Sequence, residues 1–419
     1  GQNKYLSAIK NAFQNFMPLT IAGAIGVLWC NVLVNDQTGL GLFFKPIMAL
    51  DFLNPAFQAV NFCTISCITV GITLGIAQEI GVWNMGAERA GYIPGLVGLA
   101  AWLSVTNTSH MVDGAKEAFT GIAGNELGAT GLFTGMIIGV LSVELFCFFE
   151  KQDALKIKMP EQVPPGVARA FEVLVPATIT LIITACIGSA CYNLTGLYLN
   201  DVIKNGVQGP LGAVGATVPG VMIIYLVIML FWLVGIHGNN MLSAVKEALF
   251  TPLALENVEA FNKGETPKNI INMYALQMWG EFGGSGVTIG LVIAIMIFGK
   301  REDNKAIATL SLVPGLFNIN ETVTFGIPMV LNPILGIPFV VAPLVTIIIG
   351  YVLTVIGFCP VACLTVPWTT PPIVFGFLAC GANVMGAVTQ AILIVVSTVI
   401  YTPFLIAYEK YQNKQAAEA

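Results

Sequence analysis

The chain has 419 residues, 56% hydrophobic and only 10% charged, with a mean hydropathy of +0.81. About a quarter of a soluble domain's residues are charged, so this chain cannot clothe a water-exposed surface, and its apolar runs reach membrane-spanning length: it reads as an all-α polytopic membrane protein. A net charge of −5 without a basic stripe excludes a nucleic-acid binder. The nine cysteines sit mostly in apolar stretches such as "NFCTISC" and "GFCPVAC", and there are two histidines, so neither a metal site nor a disulfide framework is expected.

In chain order, the polar opening "GQNKYLSAIKNAFQNF" leads into a first apolar span that begins near Met17 and itself directs insertion, since nothing reads as a cleavable signal. With no Met at position 1, further residues are expected ahead of it. Apolar spans follow near 17–35, 57–80, 91–105, 130–149, 172–195, 214–236, 285–299, 335–358 and 383–408, so about ten crossings are expected. His110, in "TNTSHMVDG", reads as a loop residue. Two solvated stretches, 150–172 with Lys151, Lys156, Lys158 and Arg169, and "GKREDNK" at 299–305, belong in the cytoplasm by the positive-inside rule. Four spans precede the first of them, which makes the N-terminus cytoplasmic as well.

Simple counting fails further on. After the sixth span a single crossing at 285–299 would put "GKREDNK" outside, and the C-terminus raises the same parity problem. Glycine, proline and asparagine interrupt 237–284 and 308–334 in "GNNML", "GEFGGSG", "PGLFNIN" and "FGIPMVLNP". Broken backbone at membrane depth is tolerated only where protein buries it or it lines a wet cavity. Two facing re-entrant hairpins near 237–284 and 308–334 are therefore predicted. Residues 1–198, with smoother spans, form an N-terminal membrane domain suited to packing on a neighbouring subunit; residues 199–419, opening on the amphipathic "LNDVIKNGVQGPLG", carry the interruptions and hence the substrate.

The candidate site residues lie in those interruptions. His237 sits between Gly235 and Gly238, which allow close backbone approach, with Asn239 and Asn240 at the same depth. A polar cluster in hydrocarbon costs several kcal/mol unless satisfied, and a polar ligand is the better account of it. Glu321, among Asn318, Asn320, Thr322 and Thr324, is an intramembrane carboxylate and so a functional candidate, with a helix N-terminus as its structural alternative. "WGEFGGSGVTIG" is glycine-dense around Glu281 and Ser285 and offers main-chain amides and room for a bulky ligand at Gly284 and Ser285, or else only a close helix contact; no GK[ST] follows, which excludes a phosphate-binding P-loop. Trp368 in "VPWTTPP" can stack on the CH face of a pyranose or sit at the membrane interface, and Trp232 lies near His237 in sequence. Carboxylate, imidazole, amides, hydroxyls and indoles without excess charge suit a neutral polyhydroxylated ligand.

Together and in this order, "GIHGNNML", "GEFGGSGVTIGL" and "NINETVTFGIPMVLNPILGIPF" resemble the lactose/cellobiose/diacetylchitobiose family of enzyme IIC components of the bacterial phosphoenolpyruvate-dependent sugar phosphotransferase system. The resemblance runs over nearly the whole chain, including "KMPEQVPPGVARAFE". It implies a homodimer in the bacterial cytoplasmic membrane, amid lipid, with about ten spans per protomer, N-terminal dimerisation and a C-terminal transport domain with two re-entrant hairpins. No cofactor is implied. A cytoplasmic IIB component is implied to donate a phosphoryl group from its cysteine to the sugar C6 hydroxyl, so that this chain, with no phosphoryl donor of its own, shares in the reaction only with that partner. The family's key histidine falls on His237 and its key glutamate on Glu321, with Asn320 beside it; Asn240 and Trp368 match contact positions. Glu321 is expected to be the base and His237 the orienting group. The implied sugar is cellobiose or a related β-glucoside or chitobiose. A proton-coupled disaccharide symporter without phosphorylation, or a sugar-sensing membrane subunit, would use the same residue types.

Overall fold

The computed structural model describes residues 3–36, 40–110, 119–160, 162–327 and 329–418. It is 77% helical. Among the described residues the strands are one antiparallel pair, Ser109–His110 with Phe119–Thr120, and the rest is turn and irregular backbone. His110 thus lies on a short ribbon rather than in a plain loop, its Nε2 3.2 Å from the Asn107 carbonyl.

Each apolar stretch read from the sequence lies on helix. Five helices are long and apolar enough to cross a membrane: Lys4–Leu33, Ala129–Glu150, Pro165–Thr195, Gly336–Val355 and Val384–Gln415. Two bent pairs raise the total to seven: Lys45–Ser66 with Ile68–Met85, bent by 42°, and Met273–Val287 with Ile289–Phe298, bent by 59°. Ile93–Val105 and Val218–Leu233 are apolar but shorter. The span expected at 285–299 exists only as the second half of a bent pair. Its helix, Ile289–Phe298, has 10 residues and extends about 15 Å against a hydrocarbon core of about 30 Å. The cause is local: Gly283, Gly284, Gly286 and Val287 all take positive φ, which no helix accommodates.

The chain forms two compact units, one of Gly1–Gly23 and Ala59–Gly212, the other of Ala24–Gln58 and Ala213–Ala419. In the first, small residues bring helices to near backbone contact: a Cβ on Gly98 would sit 2.3 Å from that of Ala77, and one on Gly135 would sit 2.2 Å from the Thr73 hydroxyl. The "EKQDALKIK" connection leaves from a charged knot in this unit. Glu150, buried at the end of the 129–150 helix, takes Arg89 at 2.8 Å and Arg169 at 3.0 Å, and Glu172 closes the ring on the same two arginines at 3.1 and 2.8 Å. Two cations and two anions cancel, which lets Glu150 stay buried and charged.

The second unit settles the parity problem. Glu409, buried on the 384–418 helix, accepts from the backbone amides of Lys300 at 2.8 Å and Arg301 at 3.3 Å and from the Asn304 amide at 3.2 Å. Arg301 reaches on to Asn413 at 2.7 Å. "GKREDNK" and the end of the last helix therefore share one side of the unit. With 336–355 and 384–415 each crossing once, 302–335 and 356–383 must share one parity, and both fit returns to the side they start from, since among the described residues neither holds a helix long and apolar enough to cross. The second return is not evident in the sequence. It is irregular backbone held by side chains: Asn257 and Asn272 donate to the Ala362 carbonyl at 3.0 and 3.1 Å, and Gln390 Oε1 accepts from the Ile373 and Gly376 amides at 2.7 and 2.8 Å.

This arrangement makes a topological prediction. In a background without the native cysteines, Glu302→Cys and Lys414→Cys react with an impermeant maleimide only from the cytoplasmic face, and Ile356→Cys only from the outer face. Labelling of 302 and 414 from opposite faces overturns the shared side.

Candidate functional site

The 218–233 helix ends in a turn at Gly235, whose φ is +81°, and the chain starts again as the 238–262 helix with His237 as its N-cap. The imidazole Nδ1 accepts the backbone amide of Asn240 at 3.2 Å. A nitrogen that accepts carries no proton, so the cap assigns the neutral tautomer and leaves the proton on Nε2. The Trp232 ring lies 4.3 Å from the imidazole, centroid to centroid, and is buried beneath it. Held by cap and indole, His237 directs Nε2 toward Glu321 Oε1, 3.9 Å away.

Glu321 opens the short 321–326 helix, where the positive end of the backbone dipole favours a carboxylate. Its side chain keeps 48% of its surface exposed from the rest of the chain, against 38% for His237. Both groups are open to a ligand. Behind them stands the glycine loop. Asn239 donates to the Ser285 hydroxyl at 3.0 Å, and Asn320 donates to the Ser285 carbonyl at 2.7 Å. Gly284 is required here, because a Cβ would come within 2.5 Å of the Asn320 amide carbon. Asn318 ties three segments at once: its oxygen accepts from the Gly283 amide at 2.6 Å, and its amide donates to the carbonyls of Trp368 at 2.5 Å and Thr370 at 3.1 Å.

The structure thus brings His237, Glu321 and Trp232 into one group, and joins Asn239, Asn320, Ser285 and Gly284 into a second that supports it. Asn240 enters through its backbone amide, with its side chain exposed. Trp368 is drawn toward the glycine loop by its carbonyl; among the described residues no hydrogen bond or ring contact links its half-exposed indole to His237 or Glu321. Of the two roles weighed for the glycine loop, close packing is evident: Gly286 packs on the Phe339 ring, which leaves no room for a Cβ. Among the described residues the buried Asn239 side-chain oxygen has no hydrogen-bond partner, nor has the Thr324 hydroxyl. No cluster able to hold a metal ion occurs among the described residues.

One functional element escaped sequence reading. Lys246, two turns along the helix that His237 caps, is buried and bonded to Glu281 of the glycine loop, which also accepts from the Tyr225 hydroxyl at 2.7 Å. Lys246 sits over the Tyr225 ring at 5.6 Å. Glu281 lies in the glycine-dense stretch noted in the sequence, but 35 residues separate it from Lys246, so their pairing is not visible there. The pair clamps the helix that carries His237 and Asn239 to the loop that carries Ser285.

Comparison with known proteins decides the family. The family profile described as "Phosphotransferase system, EIIC" matches residues 10–343. The chain belongs to the phosphotransferase system EIIC family. The oligo-beta-mannoside-specific EIIC component of Bacillus subtilis is 33% identical over 97% of this chain and 90% of its own length. The cellobiose-specific EIIC component of Lactococcus lactis is 30% identical over 99% of this chain and 96% of its own. The crystal structure of the transporter ChbC, the IIC component from an N,N'-diacetylchitobiose-specific phosphotransferase system, superposes with a TM-score of 0.90 at 30% identity, covering 99% of this chain and 96% of that one. This EIIC protein is accordingly a multi-pass protein of the cytoplasmic membrane.

The clamp can be tested by stability. Lys246→Met leaves the partly buried Glu281 carboxylate without its cation, held by Tyr225 alone, a loss of up to about 3 kcal/mol that appears as a lower melting temperature in detergent. Lys246→Met combined with Glu281→Gln, which keeps a partner for Tyr225, recovers most of it. Equal losses in the two variants would show that the ion pair is not what the site depends on.

Proposed function

We propose that this EIIC protein binds a β-linked disaccharide of the cellobiose, β-glucoside or chitobiose class and moves it inward, and that a cytoplasmic IIB component phosphorylates it at the C6 hydroxyl. The relatives named for such sugars and the match to a diacetylchitobiose IIC structure support the sugar class. The observation that carries the mechanism is the 3.9 Å approach of His237 Nε2 to Glu321 Oε1. A hydroxyl oxygen about 2.8 Å from each atom would see them at about 90°, a geometry in which it donates to the carboxylate and accepts from Nε2–H. Asn239, Asn240, Asn320, Ser285 and the edge of Trp368 supply partners for the remaining hydroxyls and the ring face.

In this reading the C6 oxygen attacks the phosphorus carried on the IIB cysteine, the P–S bond breaks as the O–P bond forms, and the hydroxyl proton passes to Glu321. The histidine keeps its proton. With Nδ1 committed to the helix cap, His237 acts as a donor that orients the attacking oxygen, and Glu321 is the group with lone pairs to spare. Phosphoryl transfer needs little covalent help from the permease beyond positioning and proton removal. The product is trapped, since a charged sugar phosphate fits poorly in a site without a cation that faces an acid, and it does not recross the bilayer. We further propose that residues 1–198 pair two protomers while 199–419 carry the sugar, with 237–284 and 308–334 re-entering the membrane around it.

Two substitutions separate the roles. Glu321→Gln retains sugar binding in a direct assay but loses phosphorylation by about 100-fold or more, within the range a general base contributes; unchanged phosphorylation refutes it as the base. His237→Asn preserves a good N-cap while removing Nε2, and lowers phosphorylation with little change in melting temperature. The symporter reading is decided in vesicles: free sugar accumulating under a proton gradient without IIB supports it, whereas uptake that requires phospho-IIB and yields only sugar phosphate supports group translocation.

A further inference from the structure

An apolar groove runs between the 289–298 and 384–418 helices of the second unit, walled by Ile297, Phe298, Val395, Val399 and Ile406. These side chains are largely exposed in the folded chain; Val399 keeps 65% of its surface. Hydroxyls do not alter the wall. Thr398 and Thr402, which also line it, spend theirs on the carbonyls of Ile394 at 2.9 Å and Thr398 at 2.7 Å. On the long helix, 395, 399, 402 and 406 follow helical spacing along one face, and Lys410 is the next position on that stripe. On the other wall the helix ends at Phe298 and Lys300 follows at once. The bond from the Lys300 amide to Glu409 brings the two lysines to the same end of the groove.

Both ammonium groups are exposed, and among the described residues neither has an ion-pair partner. The nearby carboxylates are spent elsewhere: Glu409 is buried on backbone amides, Asp303 is paired with Arg301 at 2.6 Å and Glu302 with Lys305 at 3.1 Å. We propose that this groove is a binding site for an anionic phospholipid, with an acyl chain lying along the apolar wall and the phosphate held by Lys300 and Lys410 at the cytoplasmic interface. Apolar length and two unsatisfied cations at one end are the complement of such a lipid. A second protein copy would leave those cations buried without anions. The site holds together the loop at 299–305 and the last helix, so the lipid stabilises the junction that Glu409 makes.

The test compares full-length protein in phosphatidylcholine nanodiscs with and without phosphatidylglycerol, by melting temperature and by native mass spectrometry of retained lipid. The wild type gains thermal stability from phosphatidylglycerol and retains it over phosphatidylcholine. Lys300→Gln combined with Lys410→Gln loses this preference by on the order of tenfold or more, from about fivefold for each lysine near a lipid surface, while sugar binding is kept. Val399→Trp, which fills the groove, weakens retention of both lipids. Lys305→Gln, a paired lysine of the same loop, leaves the preference intact. Equal response of wild type and double variant, or an equal loss with Lys305→Gln, overturns the site; a change of protomer number with Val399→Trp would assign the groove to a second copy instead.

Discussion

A membrane offers no water to an interrupted helix, so every amide and carbonyl freed by a break must find its partner within the protein. The whole second unit is arranged around that requirement. The chain leaves helical geometry between Gly280 and Thr288, and several of the freed carbonyls are taken up by side chains: Tyr401 donates to that of Gly286 at 2.8 Å and Ser397 to that of Val287 at 2.9 Å from the last helix, and Thr288 to that of Gly283 at 2.8 Å from within the break. The same solution recurs at Ala362 and at Ile373. Asparagine and glutamine amides are well suited to this, because one planar group both donates and accepts. What looks in sequence like polar contamination of an apolar chain is largely the scaffolding of breaks.

Seen this way, the site is a by-product of the breaks as much as a pocket added to them. The amides that stitch the glycine loop are the neighbours of those that face His237 and Glu321. Asn320 secures Ser285 while adjoining Glu321; Asn239 secures Ser285 while adjoining the His237 cap. In the proposed reading, a ligand rich in hydroxyls would meet a surface already built from donors and acceptors.

Much of this was legible in the sequence. Composition alone fixed the solvent the protein lives in, and the coincidence of glycine with asparagine, histidine and glutamate pointed to His237 and Glu321, because such clusters are costly in hydrocarbon. The exposed state of Glu321 was not legible, since it depends on which helix start carries it. Nor was the Lys246–Glu281 clamp, whose members are far apart in the chain. The return at 356–383 was hidden for a third reason: "CPVACLTVPWTTPPIVFGFLACGA" is apolar enough to pass for the ends of two spans, and only the amides of Asn257, Asn272 and Gln390, all from other segments, reveal that it is folded back. The direction of His237 was likewise set by a backbone amide, which no residue pattern displays.

Asn318 carries a consequence of its own. It adopts a left-handed conformation, φ +63°, and from that one position its amide touches the glycine loop, the Trp368 turn and its own hairpin. Three strands pinned by one planar group cannot slide past one another. In the reading proposed above, Glu321 and the glycine loop then travel together, with His237 tied to the same loop through the Asn239–Ser285 bond, and the flexing falls at the margins of that block.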